Sequence, residues 1–104
     1  MSNKQIDLEA KLFKGFSDKS RLLILEVLSA GRKSVTEITE ETELSQPNTS
    51  AHLTCLLECG LIRKEKKGRE VFYEVSGKDV TNMIRQAQKI LKKHSNEIYN
   101  CTRY

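Results

Sequence analysis

The feature that most restricts how this chain can fold is a change of apolar period at Gly60. Before Gly60 the apolar residues recur at the three- and four-residue spacing of helices. After it, Val71, Tyr73 and Val75 alternate with polar residues, as in a strand. A last helical stripe follows. The expected class is therefore mainly α with one β-hairpin.

Helix signals divide the first part. Ile6, Leu8, Leu12, Phe13 and Phe16 suit an amphipathic helix over about Gln5 to Phe16, its last turn weakened by Gly15. Ser17 or Asp18 can cap a second helix to about Ala30, stopped by Gly31. Leu22, Leu23, Ile24, Leu25, Val27 and Leu28 make it apolar nearly all round, so it is the expected core element. A short helix over Val35 to Glu41, with Ser34 as cap, comes next, then a turn at Thr42 to Leu44. Ser45 caps a further helix that tolerates Pro47 in its first turn and ends at Cys59. Two helices joined by so short a turn match a helix-turn-helix. The hairpin runs through Arg63 to Lys66, a turn at Lys67–Gly68, and Glu70 to Val75. The last helix spans Lys78 to Ile98, with Val80, Met83, Ile84, Ala87, Ile90 and Leu91 on one stripe.

With 104 residues the chain holds one domain, residues 1–104, and a monomeric core would be thin. A homodimer sharing apolar helices, the last one included, would relieve that shortage. No apolar run reaches membrane-spanning length, and Met1 to Glu9 lacks the apolar stretch of an export signal. A cytoplasmic protein with no membrane partner is expected. Three cysteines in such a chain do not form a disulfide framework. The net charge of +4 favours a polyanionic partner, and its distribution says more. Arg63 to Arg69 carries five basic residues against one acid, whereas Thr36 to Glu43 is acidic.

In a helix-turn-helix, the first turns of the second helix face major-groove edges and phosphates. Gln46, Asn48, Thr49 and His52 are the expected contacts on double-stranded operator DNA, with Ser45 and Ser50 beside them. Ser45 also serves as a cap and Ser50 as a packing residue. Lys66, Lys67 and Arg69 at the hairpin tip suit DNA backbone or minor-groove contact. Cys55 and Cys59 lie four apart on the same helix, so their sulfurs are neighbours on one face. With Cys55 at zero, Cys59 falls at about 40°, Asn48 at about 20° and His52 at about 60°, while Leu53 and Leu57 fall at about 160° and 200°. The pair is expected away from the core, in line with the DNA-facing residues. Cys101 in the tail would make a three-sulfur site for Cd(II), Pb(II) or another thiophilic ion. Zn(II) is a further candidate, though it usually takes four ligands. His52, His94 and Glu97 are conceivable extra donors.

The segment LSQPNTSAHLTCLLECGLI, Leu44 to Ile62, resembles the recognition helix of the ArsR/SmtB family of winged-helix metalloregulators. Asp18, Arg21 and Leu22 to Leu25 are similar to the family's second helix, and Gly68-Arg69 with Val71, Phe72 and Tyr73 to its wing. The stretch LTCLLECGL most resembles the cadmium/lead sensors of the CmtR type, which take two ligand cysteines from the recognition helix and a third from the C-terminal region. The resemblance implies a dimeric winged helix-turn-helix, with Cys55, Cys59 and Cys101 as ligands. It also implies a homodimeric repressor of a metal-resistance operon, released from DNA by metal. Two other family sites are missing. Ser34-Val35-Thr36 stands where some members carry Cys-Val-Cys, and Gly77-Lys78-Asp79 where zinc sensors carry Asp-x-His.

Rival readings keep the residues and change the chemistry. The two thiols, with Arg63 and Lys64 nearby, would also suit a redox or persulfide switch on the same DNA-binding domain. A protein-interaction module fits the basic hairpin poorly. Catalysis by Cys55 with His52 as base lacks an orienting group and an oxyanion hole.

Overall fold

Four of the five helices begin at a side chain that accepts a backbone amide, and these caps set the element boundaries. The computed structural model describes residues 1–103. Ser2 opens α1 (Asn3–Ser17) and Ser34 opens α3 (Val35–Thr42), each in a reciprocal box with the glutamine or glutamate three residues on. Asp18 caps α2 (Lys19–Ser29), and Ser45 caps α4 (Gln46–Glu58), with Pro47 in the first turn. Glu43, in the left-handed region at φ 61°, ends α3 and turns the chain into α4. That completes the helix-turn-helix.

β2 (Ile62–Lys67) and β3 (Glu70–Val75) form the hairpin, paired from Ile62↔Val75 to Lys67↔Glu70. Gly68 supplies the positive φ of 64° that the reversal needs. A strand not expected from sequence, β1 (Lys33–Ser34), pairs with β3 on its other edge, giving the antiparallel order β1-β3-β2. Two residues are too few to show a period, so no apolar pattern announces it. The hairpin is thereby tied to the α2–α3 connection.

The core lies where α2, α3 and α4 meet. Ile24, Leu25, Leu28, Ile38, Leu53 and Leu56 are buried there, and Leu61 and Ile62 from the hairpin base close one side. Val80 and Ile84 of α5 (Lys78–Asn100) close another. Each such side chain contributes about 1.5–3 kcal/mol by leaving water. Beyond Ile84 the apolar stripe of α5 is only partly covered, sharing an open groove with Phe13, Phe16 and Leu22. Ile90 and Leu91 are about half exposed, and the helix bends at His94, whose backbone is non-helical at φ −128° and ψ 22°. The Cα radius of gyration, 15.0 Å, exceeds the roughly 13 Å of a compact chain this long. Among the described residues no helix is long and apolar enough to cross a membrane.

Candidate functional site

The exposed face of α4 follows from its buried one. Thr49, Leu53 and Leu56 are the buried residues of this helix, spaced four and three apart on one stripe. Gln46, Asn48 and Ser50 are exposed on its first turns, as expected of residues that meet a DNA groove. Ser45 is exposed too, but its hydroxyl accepts the Asn48 amide at 3.2 Å, so it orders the helix start. Thr49 overturns the expectation placed on it. It is fully buried in line with Leu53 and Leu56, its hydroxyl without a partner, and it presents nothing to a groove. The spacing to Leu53 and Leu56 was the sequence signal for this. Ala51 and Thr54, not singled out from sequence, are exposed one turn further along, opposite the buried stripe.

The hairpin tip carries its charge outward. Lys66, Lys67 and Arg69 are exposed. Lys67 lies 4.0 Å from Glu65, while Lys64, Lys66 and Arg69 pair with no carboxylate among the described residues. Arg63 is already committed to Glu74 at 2.8 Å, and Arg32 stacks over Phe72 at 5.3 Å and reaches Glu65 at 3.8 Å. These ties stiffen the hairpin base and leave its tip cationic, which suits phosphate contact.

The Cys59 end of the cysteine face is turned to the corner where α1 meets α2. Arg21 builds that corner, its guanidinium donating to the Gly15 and Lys14 carbonyls, each at 3.1 Å, and so satisfying the end of α1. Asp18 accepts the Arg21 amide at 3.0 Å. That hydrogen bond holds the Asp18 carboxyl below the usual aspartate value, against burial and with help from the His52 and Arg21 charges. His52 is half-buried, its Nε2 3.8 Å from Asp18 Oδ2, and thus engaged with α2 as well as adjacent to the exposed face. Cys59 lines a pocket of about 290 Å³ with Leu8, Lys11, Leu12 and Gly15 of α1. Partial desolvation pushes the Cys59 thiol up, neighbouring Cys55 adds to it, and the Lys11 and Arg21 charges oppose.

Cys55 is half-buried and Cys59 exposed, so neither is core filler. Cys101 caps the C-terminal end of α5, its amide donating to the Ile98 carbonyl at 3.2 Å. The expected three-sulfur site is not assembled within one chain. Among the described residues no three His, Cys, Asp or Glu side chains gather as metal ligands, which also leaves His94 and Glu97 outside any such set. Cys101 sits at the C-terminal end of α5, beyond the bend at His94.

Residues 18–64 match the profile of the bacterial regulatory proteins of the arsR family. The arsenical resistance operon repressor of Bacillus subtilis is 36% identical over 73 residues, 69% of this chain and 70% of that protein. The chain belongs to the ArsR family. Another member, the probable mercury resistance operon repressor of Streptomyces lividans, is 29% identical over 97 residues, covering 93% of this chain and 78% of the relative. Among solved structures, the homodimeric winged helix-turn-helix DNA-binding domain of a possible ArsR-family regulator from Mycobacterium bovis superposes with a TM-score of 0.81. It is 26% identical and covers 93% of each chain. This ArsR-family chain is thus a winged helix-turn-helix transcriptional regulator and not an enzyme: α3 and α4 are the helix-turn-helix, and β2–β3 is the wing.

Proposed function

We propose that this protein is a homodimeric repressor that leaves its promoter DNA when a thiophilic ion binds Cys55 and Cys59. The observation that carries the reading is the placement of two adjacent thiols on the recognition helix itself, facing the α1–α2 corner. An ion held there pulls on the same rigid helix whose first turns meet DNA. The B. subtilis and S. lividans relatives are named for arsenical and mercury resistance, which supports soft, sulfur-seeking effectors as a class; Cd(II) and Pb(II) belong to it. Zn(II) fits less well, because two thiols fall short of its four ligands.

The half-exposed apolar residues of α1 and α5 support the dimer. Phe13, Leu22, Met83, Ile90 and Leu91 line a groove of about 310 Å³ that a second copy would fill, as the M. bovis domain is homodimeric. A second copy would also supply the third sulfur, since Cys101 stands away from its own Cys55 and Cys59. The protein would act on DNA in the cytoplasm.

Geometry favours metal over a disulfide switch. Residues four apart on a helix hold their Cβ atoms about 5–6 Å apart, whereas a disulfide needs about 3.5–4.5 Å. An ion bridges such a pair without bending the helix.

Linkage supplies the test. If metal weakens DNA binding, DNA weakens metal binding by the same factor, about 5–150-fold for couplings of 1–3 kcal/mol. Cd(II) affinity, followed by sulfur-to-metal charge-transfer absorption, should fall by that factor when promoter DNA is present. Equal Cd(II) affinity with and without DNA would refute the reading.

A further inference from the structure

Besides the wing tip, α5 carries a cationic face. Arg85, Lys89, Lys92 and Lys93 are all exposed, and among the described residues none of them pairs with a carboxylate. Asp79 and Glu97 are the acids of this helix, and no other acid stands between them. With Arg85 at zero, Lys89, Lys92 and Lys93 fall at about 40°, 340° and 80°, while the apolar stripe from Val80 to Leu91 centres at about 200°. One face is thus cationic and the opposite one apolar. Like charges four apart on a helix repel, so this pattern costs helix stability that mixed signs would not. The bend at His94 accounts at most for Lys92 and Lys93. Arg85 and Lys89 lie a turn or more before it, beyond the reach of the helix dipole.

The chemistry of the face selects DNA as its occupant. It lacks the aromatic or apolar anchor that a protein partner buries, because Ile90 and Leu91 belong to the other stripe. At about 1.5 Å per residue, Arg85 to Lys93 spans roughly 12 Å of helix. Duplex DNA presents one charge about every 1.7 Å, so flexible cations along such a line meet phosphates in any register. Val80 and Ile84 of α5 turn inward to the same core as Leu53 and Leu56 of α4. The exposed faces of the two helices therefore look outward in different directions. We propose that the outer face of α5 is a second, sequence-independent DNA surface, holding the backbone of a duplex other than the one met by α4 and the wing. The protein then bridges two DNA segments, through contacts that involve neither Cys55 nor Cys59.

The test uses the reduced full-length chain, a donor-labelled promoter duplex bound at stoichiometry, and an acceptor-labelled duplex of unrelated sequence. Energy transfer between the two should appear at low salt as the second duplex is added. Its affinity should fall by roughly a hundredfold from about 50 to about 200 mM salt, as about four phosphate contacts require. Arg85→Gln, Lys89→Gln, Lys92→Gln and Lys93→Gln in one variant change only exposed side chains, and glutamine is a good helix former, so the fold persists. That variant should bind the second duplex at least about tenfold more weakly, with promoter affinity and sedimentation as in wild type. Lys89→Arg with Lys92→Arg and Lys93→Arg keeps the charge and should keep the transfer. Lys66→Gln with Arg69→Gln should do the opposite of the four glutamines, weakening promoter binding and sparing the second duplex once the promoter is saturated. No transfer in wild type, or transfer that survives the four glutamines, would overturn the proposal. So would an equal loss of promoter affinity in that variant, which puts α5 on the same duplex. A shift of that variant toward monomer would overturn it too, by placing the four charges in the contact between copies.

Discussion

The helix-turn-helix region and the outer helices use similar residues to opposite ends. In α2, α3 and α4, Ile24, Leu25, Leu28, Ile38, Leu53 and Leu56 close on one another and are at most 2% exposed. In α1 and the outer half of α5, Ile6, Leu8, Leu12, Phe13, Ile90 and Leu91 stay 40–60% exposed. One region is closed within a single chain and the other leaves apolar surface open. The thiol pair sits on the seam between them, on a core helix but facing α1. A ligand at that seam would touch both α4 of the helix-turn-helix and the partly open α1.

The largest effect should come from the closed side. Leu53→Ala or Ile38→Ala removes a fully enclosed side chain and should cost about 2–5 kcal/mol in urea unfolding. The open side should respond to concentration instead. Ile90→Asp with Leu91→Asp should shift sedimentation from dimer to monomer and abolish the concentration dependence of Tm, with the helical content of α2 to α4 retained. A uniform loss of stability at every concentration would show that these residues serve the chain's own core and would erase the contrast.

A smaller effect is expected at the seam. The Arg21 amide keeps the Asp18 carboxyl below its ordinary value, so the folded state binds this proton less readily than the unfolded one. The stability Asp18 contributes is therefore fully present above about pH 4, its unfolded value, and is lost as pH falls through the lower folded value. Asp18→Asn should thus be less stable than wild type above about pH 4, and the difference should shrink steadily in more acid buffer. A constant difference across that range would place the effect of Asp18 outside its charge.

How far the sequence exposed this arrangement varies along the chain. Caps at Asp18, Ser34 and Ser45 are local signals, so α2, α3 and α4 were legible to within a residue or two. The 23-residue α5 was also legible, because its stripe is long and periodic. The two-residue β1 was not, because pairing with β3 is a tertiary event without a period of its own. For Thr49 a place in the first turns of α4 points outward, but its spacing to Leu53 and Leu56 puts it on the buried stripe. What the cysteine face packs beside was not legible for a related reason. A helical wheel says which residues share a face, and only the packing of α1 says what that face meets. The exposure of Asn48 and Ser50 was legible because both lie about a quarter-turn from the buried stripe of Thr49, Leu53 and Leu56, whereas Gln46 is exposed because it opens the helix.

The central claim is that Cys55 and Cys59 control the grip of α4 on DNA. It is tested most directly by fluorescence anisotropy of labelled promoter DNA bound to the reduced protein during Cd(II) addition. Release should saturate near one metal per chain and be abolished by Cys55→Ser and by Cys59→Ser, each of which still binds DNA without metal. DNA that stays bound at saturating Cd(II), or release that persists in both serine variants, would contradict it.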